Sequence, residues 1–168
     1  MAIAYKLFRY KHGKLYPLYI CTNEEIPIGQ HLVAHEGEQI APGKVKSKLG
    51  ALAFRPGWHL TEIPLANHIG KKQPNGQLYQ ASDTVWCEVE YDDQIDYNPE
   101  VQQASKIKRE QCLRRVPLNG WYWYTTNNLA MVKWLISGGI TVKRILTNQE
   151  VDAICRAAGK EPQPRCES

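Results

Sequence analysis

The segment Thr84-Val85-Trp86-Cys87-Glu88-Val89-Glu90-Tyr91 constrains the fold more than any other part of the chain. Val85, Cys87, Val89 and Tyr91 alternate with Trp86, Glu88 and Glu90. A period of two places the first set on one face of a β-strand and the second on the other, which predicts a strand with one buried face. Residues 4–10 also alternate, and His12-Gly13-Lys14 predicts a turn into a second strand over residues 15–21. Residues 120–125 carry four consecutive aromatics. As a strand they put Trp121 and Trp123 on one face and Tyr122 and Tyr124 on the other.

The remaining punctuation fills in an α+β pattern. Ile26-Pro27-Ile28-Gly29 interrupts the strands, residues 30–36 read as a short helix or a strand, and residues 37–50 read as loop. A helical turn is predicted over residues 64–69, a turn at Asn75-Gly76 and a helix over residues 99–111. Residues 130–137 read as a strand that Gly138-Gly139 turns into another over residues 140–146. Thr147 and Glu150 have the spacing of a capping box, and Val151, Ile154, Cys155 and Ala158 follow at helical spacing before Gly159. Residues 160–168, with two prolines and no apolar periodicity, are predicted to be a disordered tail. Residues 1–159 therefore form one α+β domain with a predominantly antiparallel sheet and a few short helices.

Composition removes several function classes. A chain of 168 residues fits one domain with a substantial core. Its 43% hydrophobic and 23% charged content is that of a globular protein. No apolar run is long enough to span a bilayer, and the N-terminus lacks a signal-peptide core, so a cytosolic protein is expected. Cys21, Cys87, Cys112, Cys155 and Cys166 are odd in number, scattered and without a CxxC pair, which suits reduced thiols. The net charge of +4 leans weakly toward anionic ligands. Basic residues gather at Lys44, Lys46, Lys48 and Arg55 and again at Lys106, Lys108, Arg109, Arg114 and Arg115, with an acidic stretch from Glu88 to Glu100 between them.

The chemistry concentrates in residues 52–68. An apolar run ends in Arg55-Pro56-Gly57, and then Trp58, His59 and Thr61 follow almost without spacing. A turn that needs Gly57, an aromatic ring, an imidazole and a hydroxyl within a few residues suits a ligand site; the bland alternative is a buried turn in which Trp58 and His59 only pack. His31 and His35 have the i, i+4 spacing of a helical zinc site, but no HExxH glutamate and no third ligand accompany them, so no metal is expected. Phosphate-binding glycine loops and the GxSxG elbow are absent. The aromatics from Trp121 to Tyr124 also suit base stacking in a single-strand nucleic-acid binder.

In order along the chain stand Leu7-Phe8-Arg9-Tyr10, Gly57-Trp58-His59-Leu60-Thr61, the strand Val85 to Glu90, and Trp134-Leu135-Ile136-Ser137-Gly138-Gly139-Ile140. This order resembles the ADP-ribosyltransferase fold in the divergent form found in proteins of phages and mobile elements, over residues 4–158. The resemblance implies a split antiparallel sheet that clamps NAD in an extended groove, in the bacterial host cytosol if the protein is phage-encoded. It implies that Arg9 is the first-strand polar contact, that Gly57, Trp58, His59 and Thr61 line the nicotinamide pocket, and that a glutamate precedes Trp134. Lys133 stands at that third position. A lysine there repels an oxocarbenium ion instead of stabilising it. Glu88, Glu90 and Glu150 are the available substitutes, and Glu90 joins Arg9 and His59 as the candidate catalytic set. Two function classes follow: an enzyme that moves ADP-ribose from NAD to an acceptor, or a non-catalytic binder of a nucleotide, nucleic acid or host or phage partner protein. Lys133 favours the second, and the intact Arg9 and Gly57-to-Thr61 segments favour a nucleotide groove.

Overall fold

The computed structural model describes residues 2–18, 22–35, 39–41, 44–47, 50–53, 55–108, 112–124 and 132–167. Its strands are β1 (Ala2–Lys11), β2 (Lys14–Tyr16), β3 (His31–Val33), β4 (Gln39–Ala41), β5 (Lys44–Ser47), β6 (Gly50–Ala53) and β7 (Trp58–Thr61). They continue with β8 (Lys71–Lys72), β9 (Leu78–Tyr79), β10 (Thr84–Tyr91), β11 (Ile95–Asp96), β12 (Gly120–Tyr124), β13 (Trp134–Ser137) and β14 (Gly139–Ile145). Among the described residues two helices accompany them, α1 (Asn98–Lys108) and α2 (Asn148–Ala157). The chain is thus one mixed α+β domain, mostly sheet.

The main sheet runs β11-β12-β13-β7-β1-β10-β14-β3, with β2 added to β1. Pairing is antiparallel except between β11 and β12. The joints are unequal. β1 pairs β10 from Ala2↔Tyr91 through Arg9↔Thr84, and β13 pairs β7 from Trp134↔Thr61 through Ser137↔Trp58. Between β1 and β7 there is a single partner pair, Tyr5↔Thr61. The sheet is therefore two halves joined at one point.

Alternation decides which side chains fill which side. Ala4 and Phe8 of β1 join Cys87, Val89 and Tyr91 of β10, Leu60 of β7, Leu135 of β13 and Val142 of β14 in one core, against which Trp58, Trp121 and Trp123 pack. Leu7 and Trp86, on the opposite side, pack with Leu65, Ala66 and the α2 residues Val151 and Cys155. Tyr122 and Ile136 pack with Val101 of α1 in a third cluster. The capping box forms as read: Thr147 Oγ1 accepts from Glu150 N, and Glu150 Oε1 accepts from Thr147 N, both at 3.1 Å. It satisfies two otherwise orphaned helix N–H groups.

Several expectations are corrected. Residues 64–69 form no helix, because Leu65 N bonds Ile63 O and Ile69 N bonds Ala66 O, short turns that seat Leu65 and Ala66 in the core. The segment expected as loop contains β4, β5 and the first residue of β6, and Val45 of β5 pairs Leu52 of β6. Gly138-Gly139 is no hairpin turn, since β13 pairs β12 and β7 whereas β14 pairs β10 and β3. It is a corner through which the chain crosses between the two halves, and a Cβ on Gly138 would strike the backbone of Pro117. The tail expected to be disordered is docked. Gln163 Nε2 donates to Ile69 O at 2.8 Å and Leu78 O at 2.9 Å, Gln80 N donates to Pro164 O, and Arg165 pairs with Asp152. Polar side chains that find backbone carbonyls leave no apolar period to read. Residues 17–18 and 132–133, expected in strands, are corrected too: β2 ends at Tyr16, and β13 begins at Trp134. Residues 19–21, 109–111, 125 and 130–131 of the expected strands and helix lie outside the described residues.

Candidate functional site

β7 is launched by Arg55-Pro56-Gly57. Gly57 has φ +129°, and a Cβ there would collide with the Ile136 side chain, so both conformation and close packing demand glycine. The tight approach sends Trp58 and His59 to opposite faces of the sheet. Trp58 packs on the larger core and donates its Nε1–H to Leu32 O at 3.0 Å, tying β7 to β3. His59 Nε2 lies 2.9 Å from Arg55 O. A carbonyl only accepts, so that nitrogen carries the proton and Nδ1 keeps its lone pair. Burial pulls the His59 pKa down to about 4; the Arg55 carbonyl opposes this, and the charges of Lys6 and Arg55 add to it. His59 is a neutral, oriented imidazole that keeps part of its surface in solvent.

The other expected site residues are not gathered around it. Thr61 is 1% exposed and donates its hydroxyl to Tyr5 O at 3.3 Å, so it closes the joint between the halves. Arg9 donates to Pro17 O and Thr22 O and lies over the Tyr16 ring, which fixes the turn after β2. Glu90 pairs with Lys143 at 3.6 Å, Glu88 with Arg144 at 3.5 Å, and Glu150 with Arg144 and its own helix cap. None of the three carboxylates reaches His59. In each case the donor or acceptor has a partner within the protein, which residue type alone does not reveal. His31 lies in β3 and bonds Asp92 Oδ2 at 2.8 Å instead of sharing a helix face with His35. Among the described residues no group of three or more His, Cys, Asp or Glu is placed to hold a metal. No helix among them is long and apolar enough to cross a membrane.

Lys6 was missed in the sequence, although its even position between Ala4 and Phe8 places it on the apolar face. Its Nζ donates to His59 O at 3.0 Å, spanning β1 and β7 just beyond their single pair. The ammonium lies 5.7 Å from the Phe8 ring centroid and 5.8 Å from that of Trp58. Burial lowers its pKa to about 8. Arg55 lies 4.7 Å over Tyr124, and Lys133 lies 5.3 Å over Trp123, which meets Trp121 edge to face. Among the described residues none of Lys6, Arg55 and Lys133 has a carboxylate partner, whereas Lys14, Arg115, Lys143, Arg144 and Arg165 all do. No family model matches the chain, and no curated protein or solved structure is significantly similar to it.

Proposed function

We propose that this chain is an ADP-ribosyltransferase-like protein of the phage or mobile-element type that holds NAD or a related nucleotide where β1 and β7 separate, and does not cleave it. The observation that carries the reading is the company kept by Lys6 and Lys133. Each is positioned by an aromatic ring, and neither is neutralised by a carboxylate among the described residues. A ring steadies a cation without cancelling its charge, so the charge stays available to a phosphate. Trp58 and Trp123 add flat apolar surface of the kind that bases and nicotinamide stack on. The single β1–β7 pair fits the split sheet that the resemblance implies.

The electrostatics argue against cleavage. An oxocarbenium-like state at the ribose requires a nearby negative charge. Lys133 brings the opposite sign, and Glu88, Glu90 and Glu150 are committed to Lys143 and Arg144. The test is calorimetric titration with NAD and with ADP-ribose, alongside an assay of nicotinamide release. Saturable binding without release is expected. The reading fails if neither ligand gives saturable heat at millimolar concentration, and its non-catalytic half fails if nicotinamide is released. A second reading, single-stranded nucleic acid stacked on Trp123 beside Lys133, rests on that one pair, and oligonucleotide binding in the absence of NAD binding would favour it.

A further inference from the structure

The ammonium of Lys6 stands at the split without a carboxylate partner among the described residues. Its neighbours on the same face of β1 are Ala4 and Phe8, and its cross-strand partner is Cys87. An ammonium has three donors. Among the described residues one of them is used, on His59 O. Lys6 is half-buried, and a charge partly removed from water is normally paired, because leaving it without a counterion is costly. An unbranched apolar side chain would fill the same path beside Phe8 and Trp58, so what the charge adds to the packing is the bond to His59 O and the two ring contacts. The joint between the halves is already made by Tyr5↔Thr61 and the Thr61 hydroxyl.

We propose that Lys6, rather than Arg9, is the anion-holding residue of the first strand, and that it takes a phosphate group of the nucleotide between its ammonium and the Trp58 end of β7. This rests on the nucleotide reading above. Arg9 is anchored to the Pro17 and Thr22 carbonyls, three residues along β1 and on the other face. Lys6 faces the split with donors to spare. The groups around it leave the role to Lys6: His59 is neutral, Arg55 is cationic on the far side of β7, and Cys87 has its thiol pKa pushed up to about 12 by burial. At neutral pH the amine is still mostly protonated, and a bound phosphate supplies the missing counterion.

The experiment is calorimetry with NAD and with ADP-ribose on wild type, Lys6→Met, Lys6→Arg and Arg9→Ala, combined with the Lys6 Cε resonance of lysine-labelled wild type. Loss of a charge-assisted hydrogen bond should weaken Lys6→Met about tenfold or more. Lys6→Arg should keep part of the affinity, and Arg9→Ala should stay within about twofold of wild type. The Lys6 resonance should move with saturation and titrate at higher pH with ligand bound. If wild type binds but Lys6→Met binds equally well, or Arg9→Ala loses more, Lys6 is not the anion contact, although the nucleotide reading stands. If wild type binds neither ligand, the nucleotide reading falls and takes this inference with it. Should Lys6→Met fail to fold, the wild-type resonance decides: a saturating ligand that leaves it unmoved overturns the proposal.

Discussion

Replacing Lys6 by methionine should make the domain more stable. Its pKa falls from 10.5 to about 8 on burial, a difference that corresponds to about 3 kcal/mol of penalty for keeping the charge in the folded state. Methionine preserves an unbranched stem beside Phe8 and Trp58 but gives up the bond to His59 O, which offsets about 1 kcal/mol. The net gain is about 2 kcal/mol at pH 7. The sign with pH follows from the direction of the shift. Between about 8 and 10.5 the unfolded chain still holds the proton that the folded chain has released, so wild type gains stability as pH rises through that window. The methionine variant lacks this slope, and its advantage shrinks toward pH 10.5. Urea denaturation of both proteins at several pH values reads the difference, in which all other groups cancel. A variant less stable than wild type at pH 7, or an advantage unchanged on going to high pH, would refute the assignment of Lys6 as a half-buried charge without a counterion. A protein stabilised by the change yet weakened as a nucleotide binder would show a residue retained for ligand and not for fold.

His59 predicts an acid limb. Its pKa is depressed to about 4 from 6.5, so stability is full above 6.5 and declines as pH falls toward 4, where the unfolded chain takes up the proton first. His59→Gln should flatten that limb, and an imidazole that titrates near 6.5 by NMR would contradict it. Gly57→Ala should cost about 2 kcal/mol or more, because it strains a positive φ and drives a methyl into Ile136; thermal melting unchanged from wild type would be inconsistent with that packing. Gln163→Ala removes both tail contacts to Ile69 and Leu78 and should speed amide exchange across residues 69–80, by about 1–2 kcal/mol of local stability. Exchange rates unaffected by the substitution would mean that the tail does not hold this hairpin.

What could be read from sequence was whatever expresses a period. β10 begins and ends where its alternation does, and α2 starts at the capping box that Thr147 and Glu150 announce. The opposite faces of Trp121/Trp123 and Tyr122/Tyr124 follow from the same rule. Long-range pairing was not legible: Gly138-Gly139 spells a hairpin and a corner equally well, and only the partners of β13 and β14 distinguish them. The site was harder still. Arg9, Thr61 and Glu90 have the chemistry of ligand contacts, but each is satisfied by Pro17 and Thr22, by Tyr5 or by Lys143. Lys6 has the chemistry of a surface residue and occupies an apolar face, a conflict that only its position in the alternation of β1 betrays.

The central claim is that a nucleotide occupies the separation between β1 and β7, against Lys6 and Trp58. The most direct measurement follows the indole N–H resonances of isotope-labelled protein during titration with NAD. Trp58 and Trp123 should shift together and saturate, whereas Trp86, which is 3% exposed on the opposite side beneath α2, should stay still. Resonances that never move, or a shift confined to Trp86, would contradict the account.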